Sequence, residues 1–191
     1  MFYCNSRSLL NKLPLLYHLL DSKKFHVILF CETWLQDIHT DNLLVSGSGY
    51  NVFRYDRASR GGGVCIFTHP NLHIINHKAG RHHLVEYVVI ELNLPNPTRL
   101  CCIYIPPQFS KSTSNIDELT YILGIIKTVD NEVVIMLKDK SCHSIIMKDA
   151  NNSSRLKDFI NDLLFKKKLL KSADFNESVL FVKFLNNLAK V

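Results

Sequence analysis

Four groups of residues in this chain have types and spacings that could do chemistry. The first is a single carboxylate: Glu32 directly follows the apolar run Val27-Ile-Leu-Phe-Cys31. A short apolar run of this kind reads as a buried strand. Desolvating a carboxylate at its end is costly unless a cation or several donors meet it. Strand ends are also where ligands gather in open sheets. Glu32 is therefore a candidate to bind a cation, although a solvated loop position explains its placement equally well. The second group is Gly61-Gly-Gly63, entered from the basic stretch Arg54-Tyr-Asp-Arg-Ala-Ser-Arg60 and left through Val64-Cys-Ile-Phe67. Glycines permit positive φ and let a neighbour approach the backbone closely. They do not form a nucleotide loop, because the GxxxxGK[ST] spacing is missing and a strand follows where a helix is required.

The third group is the histidines His69, His73, His77, His82 and His83. A four-residue spacing would bring three of them to one helix face as zinc ligands. Pro70 and Ile74-Ile75 favour loop and strand instead. The fourth is the six cysteines, which show no CxxC pair and no metal-ligand spacing. Cys31, Cys65 and Cys101 sit inside apolar runs and read as small buried hydrophobes of a reducing compartment.

The elements that must position these groups follow from periodicity. Leu9, Leu13, Leu16 and Leu20 fall on one face of a helix between Ser8 and Asp21, with Pro14 either kinking it or lying in its first turn. Strands are expected at Val27–Cys31, Tyr50–Phe53, Val64–Phe67, Val85–Leu92, Leu100–Ile105, Glu132–Leu137 and Ser144–Met147, punctuated by Gly47-Ser-Gly49 and Asn93-Leu-Pro-Asn-Pro97. A helix is expected from Ile116 to Val129, and helical patterning runs from Leu156 to the end. Strands among a few helices with short turns indicate an α+β or α/β sandwich. A chain of 191 residues suits one domain with a real core. The net charge of +6 favours a polyanionic partner, but Lys166-Lys-Lys168 supplies part of it. No run approaches the ~18 apolar residues of a membrane span, and the expectation is an intracellular protein, nuclear or cytoplasmic.

Five stretches then match one family together and in order: Asn5-Ser-Arg-Ser-Leu-Leu-Asn-Lys12, Cys31-Glu-Thr-Trp-Leu35, Tyr50-Asn-Val-Phe-Arg54, Arg60-Gly-Gly-Gly-Val64 and Cys102-Ile-Tyr-Ile-Pro-Pro107. The set resembles the endonuclease/exonuclease/phosphatase domain, in the form carried by non-long-terminal-repeat retrotransposons. The likeness covers Phe2 to about Val134. It implies an α+β, four-layer α/β/β/α sandwich over residues 1–154, lacking part of its C-terminal half, with a helical segment over 155–191. It implies Mg²⁺-dependent nicking of DNA, with Mn²⁺ as the alternative ion, no small-molecule cofactor, and a place in a polyprotein beside a reverse transcriptase. Asn5 and Glu32 match the metal-site pair. Tyr104 matches the phosphate-binding tyrosine. Arg57 and Arg60 are candidates to contact the DNA backbone.

The pattern then breaks. The family continues with Gly-Asp-x-Asn after a buried strand. Lys148-Asp149-Ala-Asn151 keeps the Asp and Asn and is preferred, with Asp149 positioning water and Asn151 binding phosphate. Lys138-Asp139 sits at a better distance from Tyr104 but has Ser141 in place of Asn. Asp174-Phe-Asn176 lies late. The family's closing Ser-Asp-His is absent, and no histidine follows His143. Loss of that acid–base group alone is worth ~10²–10⁴ in rate, so a relic that only binds nucleic acid is the rival expectation.

Overall fold

Val27–Cys31 is a strand in the computed structural model of the protein, and every residue in it is buried. Both faces are covered, which is why the run is apolar throughout rather than alternating. The structure describes residues 1–59, 61–94, 98–106, 132–138 and 142–147. Among them are nine strands: β1 Phe2–Asn5, β2 Val27–Cys31, β3 Asn51–Tyr55, β4 Val64–Thr68, β5 Ile74–His82, β6 Val85–Leu92, β7 Thr98–Tyr104, β8 Glu132–Lys138 and β9 Cys142–Met147. β1 and β5 were not legible in the sequence. β1 is only half-buried along its length, and β5 is mostly exposed and polar, so neither carries a strong apolar signal. The expected helices over 116–129 and beyond Leu156 lie outside the described residues.

One sheet has the order β1-β2-β4-β3 and the other β5-β6-β7-β8-β9. β1 runs parallel to β2 and β7 parallel to β8; the remaining pairs are antiparallel. The sheets pack face to face. The Sγ atoms of Cys31 on β2 and Cys102 on β7 lie 3.6 Å apart across the interface. On the outer face of the first sheet, Ile28, Phe30, Cys65 and Phe67 pack against Leu16, Leu20 and Leu44. These leucines come from α1 (Leu13–Asp21) and α2 (Asp41–Val45).

α1 starts later than the leucine spacing predicts. A short 3-10 turn, Leu10–Lys12, precedes it, and Pro14 falls in the first turn, where its missing N–H is harmless. Thr40 caps α2 by accepting from the Leu43 N–H. Five cysteines, Cys4, Cys31, Cys65, Cys101 and Cys102, carry free thiols, the last four of them buried. Burial pushes the Cys101 thiol up, beyond reach of ionisation near neutral pH. No helix among the described residues is long and apolar enough to cross a membrane.

Candidate active site

Three chain segments are joined edge to edge where β1 and β2 finish. Asn5 lies opposite Cys31 in the parallel pairing, so Asn5 and Glu32 leave the sheet side by side. The pairing continues into the loops. The Ser6, Ser8 and Leu9 N–H groups donate to the carbonyls of Cys31, Glu32 and Thr33, each at 2.9 Å. On the other flank, Thr33 and Trp34 donate to the carbonyls of Gly63 and Gly62 at 3.3 and 3.0 Å. The buried Ser6 hydroxyl bridges the carbonyls of Cys31 and Glu32 at 3.1 and 3.0 Å. Lys12 Nζ reaches back to the carbonyls of Ser6, Arg7 and Ser8.

This stitching holds Arg7, Ser8, Glu32 and Trp34 at φ of 42, 79, 53 and 55°. Each such residue costs roughly 1–2 kcal/mol because its Cβ crowds the following carbonyl. Conformations of this kind persist only where surrounding contacts over-determine them. The glycines sit in the same region for a different reason. Gly62 and Gly63 have φ of 73 and 84°, and a Cβ on Gly63 would collide with Thr33 Oγ1. A Cβ on Gly62 would come within 2.7 Å of both Arg57 Nε and Glu86 Oε2.

Tyr104 and Glu86 bring the second sheet to this end. They are direct partners in the β6–β7 register, and both are buried. The Arg57 guanidinium lies 6.0 Å from the centre of the Tyr104 ring. Desolvation pushes the Tyr104 phenol up to about 12; the nearby Glu32 charge adds to the rise and Arg57 opposes it. At ordinary pH that phenol is a hydrogen-bond donor, and the influence of Glu32 on it places the carboxylate in the same electrostatic neighbourhood. Asn5 Oδ1 accepts the Arg7 N–H at 3.1 Å. Its Nδ2 is buried with no partner among the described residues.

The structure thus gathers Asn5, Glu32, Arg57 and Tyr104 at one end of the sandwich. Arg60, Asp149 and Asn151, with the rivals Asp139 and Asp174, lie outside the described residues. Arg57 is not a loosely solvated loop cation: its Nε is ion-paired with Glu86, and its side chain is 19% exposed. Neighbouring Arg54 is also committed, to Asp41 at 2.7 Å and to Asp56. His73 and His77 flank and occupy β5, so their spacing does not bring them to a helix face. Glu86 went unnoticed in the sequence. Its signal was the one that picked out Glu32, a carboxylate against an apolar run, here Tyr87-Val-Val-Ile90.

The donor set fits a divalent ion beside a phosphate. The Glu32 carboxylate and Asn5 carboxamide are hard oxygen ligands, and Mg²⁺ keeps several waters and takes few protein ligands. The unpartnered Asn5 Nδ2 requires an acceptor, which a phosphate oxygen would supply. Among the described residues, no group of three or more His, Cys, Asp or Glu is arranged to hold a metal.

The architecture is that of the endonuclease/exonuclease/phosphatase proteins. The chain is similar to an AP endonuclease from Archaeoglobus fulgidus, with 15% identity and a TM-score of 0.52, covering 71% of this chain and 55% of that one. It is similar to the 3'-5' exonuclease NExo from Neisseria meningitidis, with 15% identity and a TM-score of 0.51, over 71% and 55% of the two chains. D. rerio TDP2 complexed with single strand DNA product matches at 13% identity and a TM-score of 0.53, over 71% and 58%. The chain therefore spans between half and two thirds of the length of these structures. No family model matches it, and no curated protein matches it in sequence.

Proposed function

We propose that this chain is a nuclease-like domain of the non-long-terminal-repeat retrotransposon type, which cleaves DNA phosphodiester bonds with Mg²⁺ and works beside a reverse transcriptase. Residues 1–154 would form the hydrolase part and 155–191 a helical extension. The observation that carries the proposal is the convergence of Asn5, Glu32 and Tyr104 on one strained end of the sandwich. DNA as partner is supported by the neighbours, one of which is a complex with a single strand DNA product.

In this reading Glu32 and Asn5 hold the ion, with Mn²⁺ able to replace Mg²⁺. When bound, the ion neutralises charge that builds on the phosphate. Tyr104 donates its phenolic proton as a hydrogen bond to a phosphate oxygen and, because its ionisation is pushed to about 12, does not lose that proton at working pH. The water-positioning carboxylate would be Asp149, with Asn151 on phosphate, or the rival Asp139. The β7–β8 register supports Asp139. Lys138, which precedes it in the chain, pairs with Tyr104. Met147, which precedes Lys148 and Asp149, pairs with Val133, itself opposite Arg99 at the other end of β7.

The test is nicking of supercoiled plasmid by the full chain with Mg²⁺. Glu32→Ala should lower the rate by ~10²–10⁴, the range for loss of a positioned catalytic group. Whichever of Asp139→Asn and Asp149→Asn matches that loss identifies the carboxylate. Nicking that survives Glu32→Ala overturns the assignment. The missing Ser-Asp-His favours one second reading, a relic without activity. It predicts no nicking and a DNA affinity that falls steeply with salt.

A further inference from the structure

Glu86 is a fully buried carboxylate in the wall of the candidate site. Such a group requires charge or donors on every side, and both of its oxygens are engaged. Oε1 accepts from Arg57 Nε. Oε2 accepts from the Gly63 backbone N–H at 2.6 Å. The ion pair is one-sided, because Arg57 donates to Glu86 only through Nε, the inner nitrogen of the guanidinium. Among the described residues its two terminal nitrogens make no hydrogen bond. They form the outer edge of a planar group held against the Tyr104 ring. A guanidinium fixed in this way presents a two-pronged donor matched to two oxygens of a phosphate.

We propose that Glu86 is the positioning residue that fixes Arg57 so that its two terminal nitrogens bind the phosphodiester beside Tyr104. The substrate class rests on the phosphodiester reading of this site, but phosphate binding is measurable without hydrolysis. A rival role has Glu86 acting only as a brace for the glycine loop through Gly63. The two roles differ in coupling. If Glu86 works through Arg57, removing its charge has no further consequence once Arg57 is gone. If it braces the loop, its loss matters equally with or without Arg57.

The experiment measures the affinity of the full chain for a labelled single-stranded oligonucleotide, without divalent ion, over a range of salt. Arg57→Ala should weaken binding about tenfold and reduce the salt slope by about one, as loss of one phosphate contact does. Glu86→Gln keeps the size of the side chain and an acceptor for Gly63. It should weaken binding several-fold alone and not at all on top of Arg57→Ala, the signature of two residues acting as a unit. Arg57→Lys leaves Glu86 and the Gly63 bond in place. It should retain the salt slope yet lose most of the affinity, because the ammonium keeps the charge and lacks the fork. This variant decides the matter if Glu86→Gln fails to fold.

Independent, multiplying effects of Glu86→Gln and Arg57→Ala overturn the proposal, as does Arg57→Lys binding like the parent, or a parent chain that does not bind. Coupled binding losses in a chain that nicks no plasmid would sustain the phosphate clamp and remove the hydrolase reading. Glu32-dependent nicking without the coupling would do the reverse.

Discussion

At the end of the sandwich where β2 finishes, Glu32 and Trp34 take left-handed φ of 53 and 55°, and Arg7 and Ser8 on the adjoining loop do the same. At the end where β2 begins, the chain is ordinary. Positive φ there falls on Gly47 and Gly49, and on Lys23 and Ser46, each just past a helix. A left-handed residue is the usual way for a helix to stop. The polar groups differ in the same sense. At the far end the Tyr50 hydroxyl donates to the Phe25 carbonyl at 2.6 Å, and the rings of His26 and Tyr50 pack against His69 at 5.5 and 5.4 Å. At the Glu32 end a buried carboxylate, a desolvated phenol and an unpartnered amide are held together. One end uses polar groups to close turns. The other keeps strained backbone and incompletely satisfied groups in place, the pattern expected where stability is traded for a site.

Glu32→Gly tests this contrast most severely. Glycine accepts φ of 53° without the Cβ clash, so stability should be unchanged or rise by up to about 1 kcal/mol, while nicking falls by ~10²–10⁴. Urea unfolding and the plasmid assay on the same preparation check both halves. A variant that loses stability and keeps its nicking would erase the distinction between the two ends.

Gly63→Ala comes next. Its Cβ would strike Thr33 Oγ1 at a φ of 84° that alanine resists. A loss of about 3 kcal/mol is expected, combining left-handed strain with a clash against a fully buried neighbour. A shift of the urea midpoint with unchanged slope would measure it. Tyr50→Phe, at the ordinary end, removes one hydrogen bond to a backbone carbonyl. It should cost about 1 kcal/mol and leave nicking and oligonucleotide binding untouched. An effect on either activity would mean that the far end is not a bystander.

The contrast also explains what could be seen in the sequence. β2, β4, β6 and β7 were legible because each is apolar along nearly its whole length, a direct result of burial between layers. β5 was hidden, since Asn76, His77, Lys78 and Arg81 point it toward solvent and its strand character comes from pairing with β6. Glu32 was legible because it interrupts an apolar run. The glycine run was visible too, but only the folded chain shows why Gly63 is needed, since Thr33 and Gly63 are thirty residues apart and meet through two loops. Glu86 escaped for a related reason: in sequence it is one charge in a strand that also carries Glu91. Glu91 pairs with Arg99 at the strand's partly exposed end, whereas Glu86 pairs with Arg57 in the interior. Partners that distant leave no spacing signal.

The smallest predicted effect uses two tyrosines as probes of the two ends. Burial raises the ionisation of both Tyr50 and Tyr104. Only Tyr104 has a further rise from Glu32, to about 12 in all. A phenol whose folded value lies above its unfolded value of 10.0 stabilises the fold fully below pH 10. As pH climbs from there the unfolded chain gives up its proton and the folded chain does not, so this contribution shrinks and is gone once pH passes about 12. Tyr104→Phe should flatten the fall of stability across that alkaline window. Glu32→Gln should lower the Tyr104 titration, followed by ultraviolet difference against Tyr104→Phe, and leave that of Tyr50 where it was. If Glu32→Gln moved both phenols or neither, the carboxylate would not be a neighbour of Tyr104, and the grouping of Glu32, Tyr104 and Arg57 into one site would fail with it.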